Sequence, residues 1–87
     1  MKLEDFEFIP LYDNSLFGQT VLQFDENHHL NILSNNNKFD IELYKSGHIT
    51  NPFDSACTGT INNVSEQQIN NYILLLTLLT GSHPTQL

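Results

Sequence analysis

The hydrophobic pattern of this chain changes period once, from about two residues to about 3.6, between Gly59 and Ser65. A period of two sends successive side chains to opposite faces of a strand, and a period of 3.6 gathers them on one face of a helix. Strands that come first and a helix that comes last must bury one face of a sheet under the helix stripe. The fold expected is α+β, with an antiparallel sheet of about four to five strands and one C-terminal helix packed on one face. The 87 residues make a single domain, 1–87, with one core. A chain of this size buries roughly 60–65 % of its unfolded surface and folds without a metal or a disulfide.

Leu3 to Ile9 alternates, with Phe6 and Phe8 on one face and Asp5 and Glu7 on the other, and reads as a first strand ended by Pro10. A polar loop, Tyr12 to Gly18, leads to Gln19–Asp25, which sets Leu22 and Phe24 against Val21 and Gln23. Glu26-Asn27 then turns the chain into His29–Ser34, forming a hairpin. Asn35-Asn36-Asn37 tolerates positive φ and turns it again into Lys38–Tyr44. In that strand Phe39, Ile41 and Leu43 face inward while Lys38, Asp40, Glu42 and Tyr44 face out. Ser46-Gly47 precedes a short fifth strand, His48–Thr50. Residues 51–64 are expected to be loop, since Phe53 to Asn63 is rich in Ser, Thr, Gly and Asn.

The helix is expected over Glu66–Thr80. Ser65 is a favourable N-cap, Gln68 completes a capping box, and Val64 and Ile69 stand at the two staple positions. Gly81 and Pro84 mark the stop. At 100° per residue, Ile69, Tyr72, Ile73, Leu76 and Leu79 form the stripe for the sheet, and Leu74 and Leu78 point the other way. Their apolar character asks for a second contact. The plain candidate is the tail, Ser82 to Leu87, folding over them; self-association or a partner would serve as well.

Nothing in the chain has the spacing that catalysis or metal binding requires, so no enzyme, no cofactor and no metal site is expected. Cys57 has no partner for a disulfide or a zinc site, and its pairing with His48 as a nucleophile has no surrounding pattern to support it. His28 and His29 are adjacent, so in a strand their rings point to opposite faces and cannot chelate one ion. The four glycines stand singly and build no phosphate loop. Acids at Lys2-Leu3-Glu4-Asp5 leave no room for a signal peptide, and Tyr72–Leu79 is too short to span a bilayer. The cytosol is the expected compartment.

Charge then points to the sign of a partner. Ten Asp and Glu stand against three Lys and Arg, net −7. Such a chain repels phosphate backbones and anionic lipid, which argues against direct nucleic-acid or membrane binding, and it attracts basic proteins. Asp40 and Glu42 on an outward strand face, with Tyr44 beside them and Asp25 and Glu26 flanking at a hairpin tip, combine carboxylates with an aromatic anchor. The plainer reading of such an acidic row is a solvated face. As a binding patch it would steer a cationic partner.

An acidic aromatic first strand (Glu4 to Phe8), a loop ending Phe17-Gly18, a small antiparallel sheet and a C-terminal helix opened by Ser65-Glu66-Gln67-Gln68 complete a plan. In that plan the chain resembles the small acidic immunity proteins that bacteria encode beside polymorphic toxins, including those of contact-dependent growth inhibition systems. The resemblance implies a cognate toxin, a cationic nuclease, neutralised by occlusion; it transfers no binding residue by position. Two other readings use the same residues. One is a phage-encoded acidic inhibitor of a host defence protein. The other is a small subunit that assembles with itself, as a homodimer for instance, through Leu74 and Leu78.

Overall fold

The computed structural model describes residues 1–11, 17–36, 38–45, 48–50 and 60–87, with the backbone alone at 45, 48–50 and 60. In chain order the strands are β1 (Ile9–Pro10), β2 (Phe17–Gln23), β3 (His28–Asn35), β4 (Lys38–Lys45), β5 (His48–Thr50), β6 (Thr60–Val64) and β7 (Thr85–Gln86). Helix α1 (Glu66–Thr80) lies between the last two. β2, β3 and β4 form an antiparallel meander. Two short strands share each outer edge: β1 pairs with Gly18 and Gln19 of β2 and β7 with Leu22 and Gln23. Likewise β5 pairs with Leu43–Lys45 of β4, and β6 with Phe39, Ile41 and Glu42. The α+β architecture expected from the change of period is the one observed.

Cross-strand register decides which side chains meet. Leu22, Leu30 and Leu43 form one inward row, and Thr20, Ile32 and Ile41 form the next. These rows are buried, and Ile69, Ile73 and Leu76 of α1 close over them together with Leu3, Phe6, Phe24 and Val64. Thr20 is the exception in chemistry. It is 2 % exposed, and its Oγ1 has no hydrogen-bond partner among the described residues.

α1 forms as its local signals dictate. Ser65 Oγ accepts from the Gln68 N–H at 3.2 Å, and the Ser65 N–H donates to Gln68 Oε1 at 2.9 Å. Both staple residues, Val64 and Ile69, are buried. Gly81, at φ +70°, donates its N–H to Thr77 O and ends the helix in the left-handed region where a glycine is least strained.

Four expectations are corrected. Leu3 to Ile9 is not one strand: Leu3–Asp5 makes a 3₁₀ turn, because Asp5 Oδ2 accepts from the Lys2 N–H and the Leu3 N–H turns to Asn70 Oδ1 on α1. The true β1 is Ile9–Pro10, and Pro10 lies within it. Gly18 explains its close approach, since a Cβ there would stand 3.0 Å from Phe8 Cβ, and Phe8 crosses this point to meet Phe39 at 5.8 Å between rings. Second, the segment expected as loop over 51–64 ends in a strand, β6, whose polar composition hides a pairing set by the free edge of β4. Third, Leu79 does not belong to the buried stripe. It is exposed, and half-buried Thr80 takes the position facing inward in the last turn.

The fourth correction concerns the tail. It does not cover Leu74 and Leu78 but runs back along β2, where the Leu87 N–H donates to Val21 O and Thr85-Gln86 forms β7. Gln86 also accepts from the Glu7 N–H at 3.1 Å and donates its side-chain N–H to Glu7 O. Sheet edges leave backbone groups open, and the tail satisfies some of them.

Candidate functional site

Opposite the helix, no described element covers the second face of the sheet, and the outward positions of β2, β3 and β4 build it. Register places Gln19, Leu33 and Asp40 in one row, Val21, Asn31 and Glu42 in the next, and Gln23, His29 and Tyr44 in the third. All nine are half-buried, because each is flanked by neighbours on the same pleated surface. Gln19 Nε2 donates to Asn31 Oδ1 at 2.7 Å, tying two of the rows together. The His29 ring stacks on Tyr44 with centroids 4.7 Å apart and planes 9° off parallel.

The structure therefore brings Asp40, Glu42 and Tyr44 together, as their alternation requires. Their oxygens are already engaged in part. Tyr44 Oη donates to Glu42 Oε2 at 3.1 Å, and this hydrogen bond to a carboxylate, with desolvation behind it, raises the phenol above its ordinary 10.0. Asp40 Oδ1 accepts from the Asn63 N–H at 3.0 Å. Asn63 has φ +58° and sits where the β4–β6 register shifts between Phe39 and Ile41, so Asp40 props an irregular edge strand. Asp40 is thus a structural residue as well as a surface acid.

Asp25 is more deeply committed. Its Oδ1 accepts from the backbone N–H groups of Asn27 and His28, each at 2.8 Å, and meets His28 Nδ1 at 2.8 Å. The His28 contact, followed by the Asn27 N–H, holds this carboxyl below its ordinary 3.8. Asp25 is the organiser of the β2–β3 turn rather than a free binding group. Glu26, next to it, is exposed.

His28 and His29 diverge as adjacent strand residues must, one to the Asp25 turn and the other to Tyr44. No group of three or more His, Cys, Asp and Glu suited to a metal ion occurs among the described residues. Cys57 and Tyr12 lie outside the described residues, and of His48 only the β5 position is described, paired with Lys45. The pairing of His29 with Tyr44 escaped sequence reasoning. It depends on the register of the β3–β4 hairpin, in which Asn35 stands opposite Lys38 and His29 opposite Tyr44.

On the helix, Leu74 and Leu78 are exposed as expected, and Leu75 and Leu79 join them. Sequence reasoning missed those two, although the spacing Leu74-Leu75, Leu78-Leu79 describes a continuous stripe. Beside Leu74 lies an open depression of about 320 Å³ lined by Met1, Lys2, Gln67, Asn70 and Asn71. It has no carboxylate, thiol or imidazole with which to carry out chemistry. No helix among the described residues is long and apolar enough to cross a membrane.

These features define an α+β protein with one helix-covered sheet face and a second face, uncovered among the described residues, that carries acids, amides and stacked aromatic rings. No protein-family model, no curated protein and no solved structure matches this chain.

Proposed function

We propose that this chain works by binding: it neutralises a cationic protein, a cognate nuclease toxin in the plan of a bacterial immunity system, by covering the toxin's active or substrate-binding surface. The observation that carries the reading is the gathering of Asp40, Glu42 and Tyr44, with His29, on the sheet face opposite the helix in a molecule of net charge −7. Among the described residues neither Asp40 nor Glu42 has a Lys or Arg partner, and the one ion pair is that of Asp25 with His28. Uncompensated carboxylates around an aromatic pair steer a basic partner and then give it something to pack on. A sheet face of this kind is stiff, so little ordering cost accompanies contact. The lone cysteine is in keeping with work in the cytosol, where the toxin would be met.

The test is capture from a lysate of the source organism at low and high salt, identification of the bound protein, and measurement of its affinity for the isolated chain. A stoichiometric basic partner whose affinity falls at least about tenfold on Asp40→Lys with Glu42→Lys is the expected result. Neutralisation of that partner's nuclease activity in the same mixture completes the reading. A partner indifferent to both the substitutions and the salt would overturn it.

A further inference from the structure

Leu74 and Leu78 of α1 are 57 % and 71 % exposed, and the tail that could have covered them pairs with β2 instead. They belong to a longer row. Gln67, then Asn70 and Asn71, then Leu74 and then Leu78 recur at the three- and four-residue spacing of one helix face. An amphipathic helix ordinarily changes character around its axis, whereas this row changes along it, from amides at the N-terminal end to leucines at the C-terminal end. Leu75 and Leu79 flank the apolar end, and from Gln67 to Thr80 the helix has no charged residue.

The polar end is hollow, and a cation stands in its wall. The depression of about 320 Å³ is lined there by Met1, Lys2, Gln67, Asn70, Asn71 and Leu74. Asp5 folds back on this turn but gives its Oδ2 to the Lys2 backbone N–H at 2.8 Å, so the Lys2 ammonium has no carboxylate partner among the described residues. Asn70 Oδ1 accepts from the Leu3 N–H at 2.8 Å, which leaves Nδ2, a donor, as the free polar group of that side chain. Gln67 and Asn71 add two more amides able to donate. The positive end of the helix dipole lies at this same end of the row. Donors and one cation, with no acid in the lining, select an acceptor of negative charge. Leu74 at the exit, with Leu78 one turn beyond, selects an apolar body behind it.

We propose that this row binds a linear aliphatic carboxylate, a medium-chain fatty acid, lying parallel to α1 with its carboxylate at Lys2 and Asn70 and its chain over Leu74 and Leu78. At a rise of about 1.5 Å per residue, Leu78 stands about 16 Å along the axis from Gln67, so head and chain are accommodated end to end. A bilayer surface fits less well, because it calls for Lys and Arg along the polar flank of a helix and α1 has neither. The net charge of −7 opposes an anion at long range, but charges more than about 8 Å away are largely screened in physiological salt, and Asp40 and Glu42 stand on the far side of the sheet.

This site is independent of the toxin-binding reading, because it uses the other side of the molecule. The test is titration of the full chain with sodium octanoate, followed by amide chemical shifts, with 1-octanol and sodium acetate as the probes lacking the charge and the chain. Octanoate should move the amides of Leu3, Gln67, Asn70, Asn71, Leu74 and Leu78 to saturation with a dissociation constant below about 1 mM, and 1-octanol and acetate should each bind at least about fivefold more weakly. Lys2→Met, which keeps the length of the side chain and removes its charge, should abolish the preference for octanoate over 1-octanol. Leu74→Ser should weaken both of those probes at least about fivefold, with helix content by circular dichroism unchanged. Absence of saturation up to about 3 mM octanoate, equal binding of octanoate and 1-octanol by the unaltered chain, or shifts centred away from this row would overturn the proposal. Asp40→Lys with Glu42→Lys leaves the same amides moving, so loss of toxin binding and loss of octanoate binding are separate results.

Discussion

Asp25 shows what a single carboxylate decides in this protein. Its lowered pKa, caused first by His28 and then by the Asn27 N–H, means that the folded state favours the ionised form. The stabilisation is therefore present above the unfolded value of 3.8 and is lost as pH falls through the lower folded value. Acidification across that window should loosen the β2–β3 turn, read as movement of the Asn27 and His28 amide resonances. Asp25→Asn keeps an acceptor oxygen but should flatten that response; amides that move equally in the variant would assign the effect elsewhere. Thr20 is the opposite case, a buried hydroxyl with no partner among the described residues. Thr20→Val has nearly the same shape, so it should stabilise the fold by about 1 kcal/mol in urea unfolding. A loss of stability there would mean that the hydroxyl is satisfied after all.

Among the elements, α1 was legible almost to the residue, because Ser65, Gln68 and Gly81 act within a turn of themselves. How far its burial extends was not legible. Periodicity gives the direction of Leu79, and only the extent of the sheet decides that nothing among the described residues covers it. The contrast is measurable: Leu76→Ala should cost about 2–5 kcal/mol as a cavity in a closed core, while Leu78→Ala should stay within about 0.5 kcal/mol for the monomer. Equal costs would show that the helix is seated differently. β6 was illegible for a related reason. Thr60-Ile61-Asn62-Asn63-Val64 has weak strand propensity, and its pairing comes from the open edge of β4 and from Asp40 holding the Asn63 N–H. Asp40→Ala should therefore destabilise the fold by about 1 kcal/mol even where no partner is present. A neutral result would leave Asp40 to surface charge alone.

At the scale of the whole molecule the two sides differ in kind, one sheet face acidic and aromatic, one helix face apolar and uncharged. Charge reversal at Asp40 and Glu42 should slow association with a basic partner and weaken its salt dependence, whereas Leu78→Glu should leave that rate unchanged. A rate that follows the helix variant instead would merge the two surfaces into one. The sequence by itself determined the α+β class, the alternation that puts Asp40, Glu42 and Tyr44 on one face, and the bounds of α1. Each of these follows from spacings and caps within a few residues. Only the tertiary structure decided the His29–Tyr44 stack, the use of Asp40 as a prop for the backbone of β6, the strand hidden in Thr60–Val64, and the return of the tail to β2. Those contacts join residues far apart in the chain, and register and edge availability, not local propensity, set them.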